Sequence, residues 1–430
     1  MKLLTTLLLV LGTLSAYGQT YTTWLTGSDL DATPDPEFGV LLAGGGGDND
    51  DAMRWLLQRA AGGDVVVLRT SGADGYNDYL FSELNVTVNS VRTVRFEQTA
   101  AAVDTVVIDW IRNAEVVFLA GGDQSTYVDF WRDTPVEEAL NDLLTEKQGA
   151  VGGTSAGMAI LGQLYFSATG GTVFSGESLN DPFHPALTAG LVDTANFLQP
   201  PFLANTLTDT HWADRDREGR TVAFLARLSA ARQTRTYAIT CNEYTAVAFD
   251  ALGTARVFGE APQYPDYAHF LAVNCQDDFL PETLAAQTPL HWQRGGAAVK
   301  VYRVPGTPEG THTFDLTDWT TGSGGTWQNW SVEDGMLTVA TPATSDCAEV
   351  LTATERPRAE PTVSLYPQPA TDWVYLKNRP TPVAWEMRDG TGRTLRTGVG
   401  TEIGVHDLPA GRYVLRTEGQ TLPLVVVRRD

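Results

Sequence analysis

The hexapeptide Gly152-Gly153-Thr154-Ser155-Ala156-Gly157 governs the fold of this chain. It places a serine between glycines where the apolar run Ala150-Val151 gives way to a helical pattern. A Gly-x-Ser-x-Gly sequence at such a junction is a nucleophile elbow: the turn is sharp, the flanking glycines admit it, and the serine hydroxyl is left exposed. The amide of Ala156, opening the next helix, then points at an oxyanion formed on any carbonyl that Ser155 attacks. A Gly-rich turn without chemistry satisfies the same six residues, so the surrounding pattern has to decide.

Outward from the elbow, the runs Gly39–Ala43, Val65–Leu68, Val116–Ala120 and Ala150–Gly152 are apolar without alternation, the mark of parallel strands covered on both faces. A helix is expected from Asp50 to Ala61. Asp48 or Asn49 is its cap, Asp50 and Asp51 sit at its positive end, and Gly62-Gly63 stop it. Strand, helix, strand at this spacing predicts an α/β fold with a doubly wound, mostly parallel sheet. Ligand sites in such sheets lie beyond the carboxyl ends of the strands. Three Gly-rich segments fall there: Gly44–Gly47, Gly121-Gly122-Asp123-Gln124, and the elbow. The first lacks the Gly-x-Gly-x-x-Gly spacing and is followed by Asp50 and Asp51, which argues against a dinucleotide.

With 430 residues the chain exceeds one ordinary core. Its first 18 residues, with Lys2, an apolar run over Leu7–Leu11 and small residues before Gln19, read as a secretory signal peptide. A secreted or cell-surface product follows. A catalytic domain is expected over 19–286, a β-rich extension with Trp319, Trp327 and Trp330 over 287–351, a linker over 352–361 and an all-β module over 362–430. The tryptophans read as hydrophobic anchors or as a stacking surface for a polymer. Three cysteines exclude a disulfide framework; Cys275 with Cys347 is the expected bridge, and Cys241 is expected as a buried thiol. No Cys/His cluster has metal-ligand spacing, and no cofactor is expected. A net charge of −22 argues against a nucleic-acid partner and is compatible with a cationic substrate or with simple solubility.

The last 70 or so residues carry Tyr366-Pro367-Gln368-Pro369-Ala370-Thr371-Asp372 and Leu408-Pro409-Ala410-Gly411-Arg412-Tyr413. In these motifs the segment resembles the C-terminal sorting domain of type IX secretion, a β-sandwich. The resemblance implies the outer-membrane export machinery as a partner. A generic β-sandwich binding module is the alternative.

A serine nucleophile requires a base, and the base an orienting acid. Of six histidines, His184 lies in a loop, His269 at a strand, and His291, His312 and His406 in the later β regions. His211 stands in the polar stretch Asp209-Thr210-His211-Trp212 and is the candidate base. Glu243, at a break between the strand-like runs Tyr237–Thr240 and Ala246–Phe249, is the candidate acid.

The order Ser, His, Glu is wrong for α/β-hydrolases. Gly44–Gly47, Gly121–Gln124, Gly153–Gly157, Asp209–Trp212 with Arg215, Arg217 and Arg220, and Asn242–Ala246 together resemble, in order, the motifs of cyanophycinases and the related dipeptidase E-like serine peptidases. The resemblance covers roughly 250 residues. It implies a flavodoxin-like, class I glutamine amidotransferase-like fold, Ser155 as nucleophile, His211 as base and Glu243 as the residue orienting it. Ala156 and Gly122 would form the oxyanion hole, and Gln124, Asp209, Arg215, Arg217 and Arg220 would line the substrate pocket. The three arginines also admit a reading as a solvated face paired with Asp214, Asp216 and Glu218.

The substrate implied is a peptide or cyanophycin-like polymer, cleaved to β-Asp-Arg dipeptides through an acyl-enzyme. Thr210 and Tyr244 depart from the family's glutamine and asparagine, which puts the substrate in question. The alternatives are an exported peptidase for other acidic or isoaspartyl peptides, and a catalytically silent polymer-binding protein. A homodimer remains an open assembly.

Overall fold

The computed structural model describes residues 19–346 other than 193, 195 and 196, together with 364–366, 370–377, 382–389, 393–417 and 420–427. The expected signal peptide 1–18, Cys347 and the expected linker 352–361 lie outside the described residues. Cys241 is a buried free thiol and Cys275 is disulfide-bonded.

The expected α/β sheet forms the centre of the molecule. Five parallel strands lie side by side in the order Ser90–Phe96, Asp64–Arg69, Val116–Leu119, Ala150–Thr154 and Gly39–Ala43. Their unbroken apolar character has a direct cause. Val40, Leu42, Val66, Val117 and Leu119 bury into a core on one face, while Leu41, Val65, Val67, Val116 and Phe118 bury into a separate core on the other. The helix Asp50–Gln58 contributes Met53, Leu56 and Leu57 to the second core. The helices Thr105–Asn113 and Pro135–Thr145 contribute Val107, Ile111, Leu140 and Leu143 to the first. Asn49, accepting from the Ala52 N–H at 3.0 Å, caps the first of these helices. That helix ends at Gln58, three residues before the expected Ala61. Antiparallel strands extend both margins, Tyr21–Gly27 beside Ser90–Phe96, and Ala246–Asp250, Thr254–Phe258, His312–Asp315 and Gly322–Ser323 beyond Gly39–Ala43.

A second sheet of six strands runs in the order Met336–Ala340, Thr326–Glu333, Val299–Pro305, Tyr267–Val273, Tyr237–Cys241 and Thr206–Asp209. Its pairs are antiparallel except the last, and the helix Glu218–Arg232 packs on it through Val222, Leu225 and Leu228. This corrects the reading of 287–351 as an extension. The tract gives three strands to the second sheet and two to the first, and its Val299, Val301, Trp330 and Val332 complete a core begun by Leu207, Phe224 and Leu271. Trp330 stacks on Trp212 with ring centroids 5.6 Å apart, so this tryptophan is a core anchor.

The strands within 364–426 form two small sheets of their own around Val374, Met387, Leu415 and Leu424. Arg412 of this module reaches back to Asp266 of the preceding part.

Two features of the topology position the site. The strand Ala150–Thr154 ends at Ser155. The chain also passes from the second sheet to the first through Asn242-Glu243-Tyr244-Thr245, between Tyr237–Cys241 and Ala246–Asp250.

Candidate active site

Ser155 sits between the strand Ala150–Thr154 and the helix Ala156–Ala159, with φ 53° and ψ −115°. A non-glycine residue holds this geometry only when its surroundings over-determine it. Here the Ser155 N–H donates to the Ala43 carbonyl at 3.0 Å. The hydroxyl Oγ lies 2.7 Å from His211 Nε2, and His211 Nδ1 lies 2.6 Å from Glu243 Oε1. Because the carboxylate can only accept, it fixes the proton on Nδ1 and leaves the Nε2 lone pair facing the serine hydroxyl.

The Gly44–Gly47 run underlies this line. Gly44 O accepts from the His211 N–H at 2.9 Å, and Gly45 O accepts from the Tyr244 N–H at 2.8 Å. Gly45 has φ +92°, and a Cβ there would fall 2.4 Å from His211 Cε1; one on Gly46 would fall 2.8 Å from Glu243 Cβ. The glycines let the backbone pass directly against the base and the acid, a use unrelated to phosphate.

Burial lowers the His211 pKa below 6.5; the Glu243 bond opposes this and the Arg215 charge adds to it. The imidazole is therefore neutral at pH 7. Burial works against the Glu243 carboxylate as well, yet the His211 bond and the Arg215 guanidinium hold its pKa below the ordinary value. Asp214 Oδ2 accepts from the Glu243 N–H at 2.8 Å and Arg215 Nη2 donates to Glu243 Oε1 at 3.3 Å, so the acid is held from two sides.

Gly121 lies against the nucleophile, since a Cβ on it would stand 3.5 Å from Ser155 Cβ. This brings the loop carrying Gly122 to the same point as Ala156, the first residue of the helix after the serine. Gln124, half-buried, opens the helix Gln124–Trp131 behind that loop.

The polar residues around His211 divide. Arg220 is buried and donates from Nε to Asp209 Oδ2 at 3.0 Å and from Nη2 to Asp209 Oδ1 at 2.5 Å; its Nη1 donates to Thr172 Oγ1 and the Val173 carbonyl. Asp209 also accepts from Thr221 Oγ1 at 2.9 Å. The expected pocket residues Asp209 and Arg220 thus satisfy one another inside the protein. Burial opposes charge on Asp209, and the arginine brings its pKa down.

Arg217 donates to the Thr210 carbonyl at 2.7 Å but keeps a buried Nε–H without a partner. Arg215 is 41% exposed. The solvated-face pairing fails for Asp214, which is spent on the Glu243 amide.

Sequence reasoning missed two supports. Asn242 Nδ2 donates to the Pro265 carbonyl at 2.9 Å and its Oδ1 accepts from the Ala213 N–H at 3.3 Å, tying the Glu243 turn to the His211 loop. Trp212, next to the base, is locked by its indole N–H on Thr221 Oγ1 at 2.8 Å. Asn242 begins the quoted Asn-Glu motif, which is the one signal that pointed to it.

No protein-family model matches the chain. It is 31% identical over 164 residues to a cyanophycinase of Synechococcus elongatus, covering 36% of this chain and 44% of that protein. It is 33% identical over 144 residues to a cyanophycinase of Trichormus variabilis, covering 34% and 42%. The chain thus spans less than half the length of these curated relatives. Among solved structures, a peptidase from an acI-B1 actinobacterium superposes with a TM-score of 0.36 at 12% identity, over 55% of this chain and 91% of that one.

Proposed function

We propose that this chain is an exported serine peptidase of the cyanophycinase type, acting on peptides that carry arginine on an aspartate backbone. The observation that carries the reading is the line Ser155–His211–Glu243, with its 2.7 Å and 2.6 Å contacts and a neutral imidazole. Ser155 Oγ attacks the scissile carbonyl while His211 Nε2 takes the hydroxyl proton, and Glu243 stabilises the imidazolium that forms. The amides of Ala156 and Gly122 receive the oxyanion. Collapse of the tetrahedral intermediate expels the amine, which takes the proton from His211, and leaves an acyl-enzyme. A water activated by the same imidazole then releases the acid and restores Ser155.

Cyanophycin offers a free carboxylate and a guanidinium together, a combination that calls for a fixed cation beside amide or carboxylate acceptors. Arg217, with its unmet Nε–H, and Gln124 suit the carboxylate end. The C-terminal module is read as a type IX sorting domain, on its Tyr-Pro-x-Pro-Ala-Thr-Asp opening, and supplies none of the reacting groups. The test is incubation of the purified protein, beside Ser155→Ala, with insoluble cyanophycin, and mass spectrometry of the soluble fraction. Release of β-Asp-Arg that depends on Ser155 supports the reading.

A second reading, a peptidase for other acidic or isoaspartyl peptides, is favoured by Thr210, whose carbonyl is occupied by Arg217, and by Tyr244. It predicts serine-probe labelling with no release from cyanophycin.

A further inference from the structure

Tyr244 follows Glu243, and its ring packs against an arginine of the C-terminal module. The guanidinium carbon of Arg412 lies 3.5 Å from the Tyr244 ring centroid and 4.3 Å from that of Tyr264. Arg412 Nη2 donates to Asp266 Oδ1 at 2.7 Å. Asp266 is 1% exposed, and its other oxygen accepts from the Glu260 N–H at 2.9 Å. Two aromatic faces and a buried carboxylate are the chemistry that recognises a planar guanidinium: the rings favour the cation over their faces, and the carboxylate takes a charge-assisted hydrogen bond.

The three walls and the occupant belong to different units. Tyr244 follows Glu243 on the turn that crosses between the two large sheets, and Tyr264 and Asp266 precede the strand Tyr267–Val273. Arg412 lies on the strand Gly411–Thr417 of the C-terminal module, which has its own core. The carboxylate is thus neutralised by a cation from a separately folded unit, and losing that cation leaves a buried charge uncompensated, a strongly unfavourable state. Tyr244 is also one residue from Glu243, the acid that holds His211.

We propose that Tyr244, Tyr264 and Asp266 form a guanidinium-binding subsite, filled in cis by Arg412 in the full chain and open to the arginine side chain of a peptide when Arg412 is absent. Its bearing on turnover rests on the peptidase reading; the binding itself does not.

The test is isothermal titration of the full chain and of Arg412→Ala with Nα-acetyl-arginine amide and its lysine counterpart. Arg412→Ala is expected to bind the arginine compound at least tenfold more tightly than the native chain does, and at least tenfold more tightly than it binds the lysine compound. Asp266→Asn added to Arg412→Ala abolishes the gain. Equal affinity of Arg412→Ala and the native chain, or a gain that survives Asp266→Asn, overturns the proposal.

Arg412→Gln, which keeps the side-chain stem, guards against a folding defect. In both Arg412 variants the arginine compound should raise the unfolding temperature in a dose-dependent way. If neither responds, the subsite does not exist. Repeating the titration on a Ser155→Ala background leaves the binding unchanged, whereas failure of the peptidase reading would show only as missing Ser155-dependent hydrolysis.

Discussion

Ser155 and the pair His211–Glu243 come from differently built parts of the molecule. The serine leaves a parallel strand flanked on both sides by parallel neighbours, and six consecutive residues shape its turn with the Ala43 carbonyl of the neighbouring strand holding the Ser155 N–H. His211 follows the edge strand Thr206–Asp209 of the second sheet, and Glu243 sits on a crossing between sheets. Their position depends on Gly44–Gly47, on Asn242 and on Trp330, none of them near His211 in the chain. A nucleophile can be built locally, whereas a base and its acid must be brought together by packing.

The largest expected effect tests the local side. Ser155→Ala should lower kcat on the order of 10⁶-fold while the thermal unfolding curve stays unchanged. A loss below tenfold in a steady-state assay would remove the serine from the mechanism.

The assembled side is probed by Gly45→Ala. Its Cβ meets the His211 ring at 2.4 Å and its φ of +92° disfavours alanine, so the imidazole must shift. A displacement near 1 Å costs about 10²-fold in rate. Activity should fall at least that far, and wild-type turnover in this variant would break the comparison.

Arg220→Ala separates support from chemistry. It leaves Asp209 charged and buried, which costs about 3–5 kcal/mol, measured as a drop in urea unfolding free energy; an unaltered denaturation midpoint would place Arg220 outside the structural core. Arg217→Ala should act oppositely, raising KM at least tenfold with a smaller loss of stability than Arg220→Ala. An unchanged KM would assign Arg217 to holding the Thr210 carbonyl alone.

The smallest effect is on pH. The His211 pKa is depressed, so the base stays neutral to a lower pH than a free imidazole does. Activity is lost as pH falls below 6.5 through the folded value. The Arg215 charge contributes to the depression, so Arg215→Gln should move the acid limb of kcat/KM to higher pH, read from a pH–rate profile.

Much of the centre was legible because it is written in short runs. Val65–Leu68 and Val116–Leu119 are apolar at every position since both faces are covered, and that signal survives without knowledge of neighbours. The second sheet was not legible. Val299–Pro305 and Thr326–Glu333 look like a small β unit in isolation, and only their pairing to Tyr267–Val273 and to one another reveals a shared core with Leu207 and Phe224. The same limit applied to the arginines. Arg215, Arg217 and Arg220 are equivalent as letters, yet one is locked to Asp209, one keeps a buried N–H unmet and one reaches Glu243 from a partly exposed position.

By itself, the sequence determined the parallel centre, the elbow at Ser155 and the identities of a histidine and a glutamate with the right chemistry, because each depends on residues close together in the chain. Tertiary structure alone decided how that histidine and glutamate meet the serine, which charged groups are spent on one another, and that Arg412 comes to rest between Tyr244 and Tyr264. Those outcomes depend on which surfaces exclude water together, and no local run of residues encodes that.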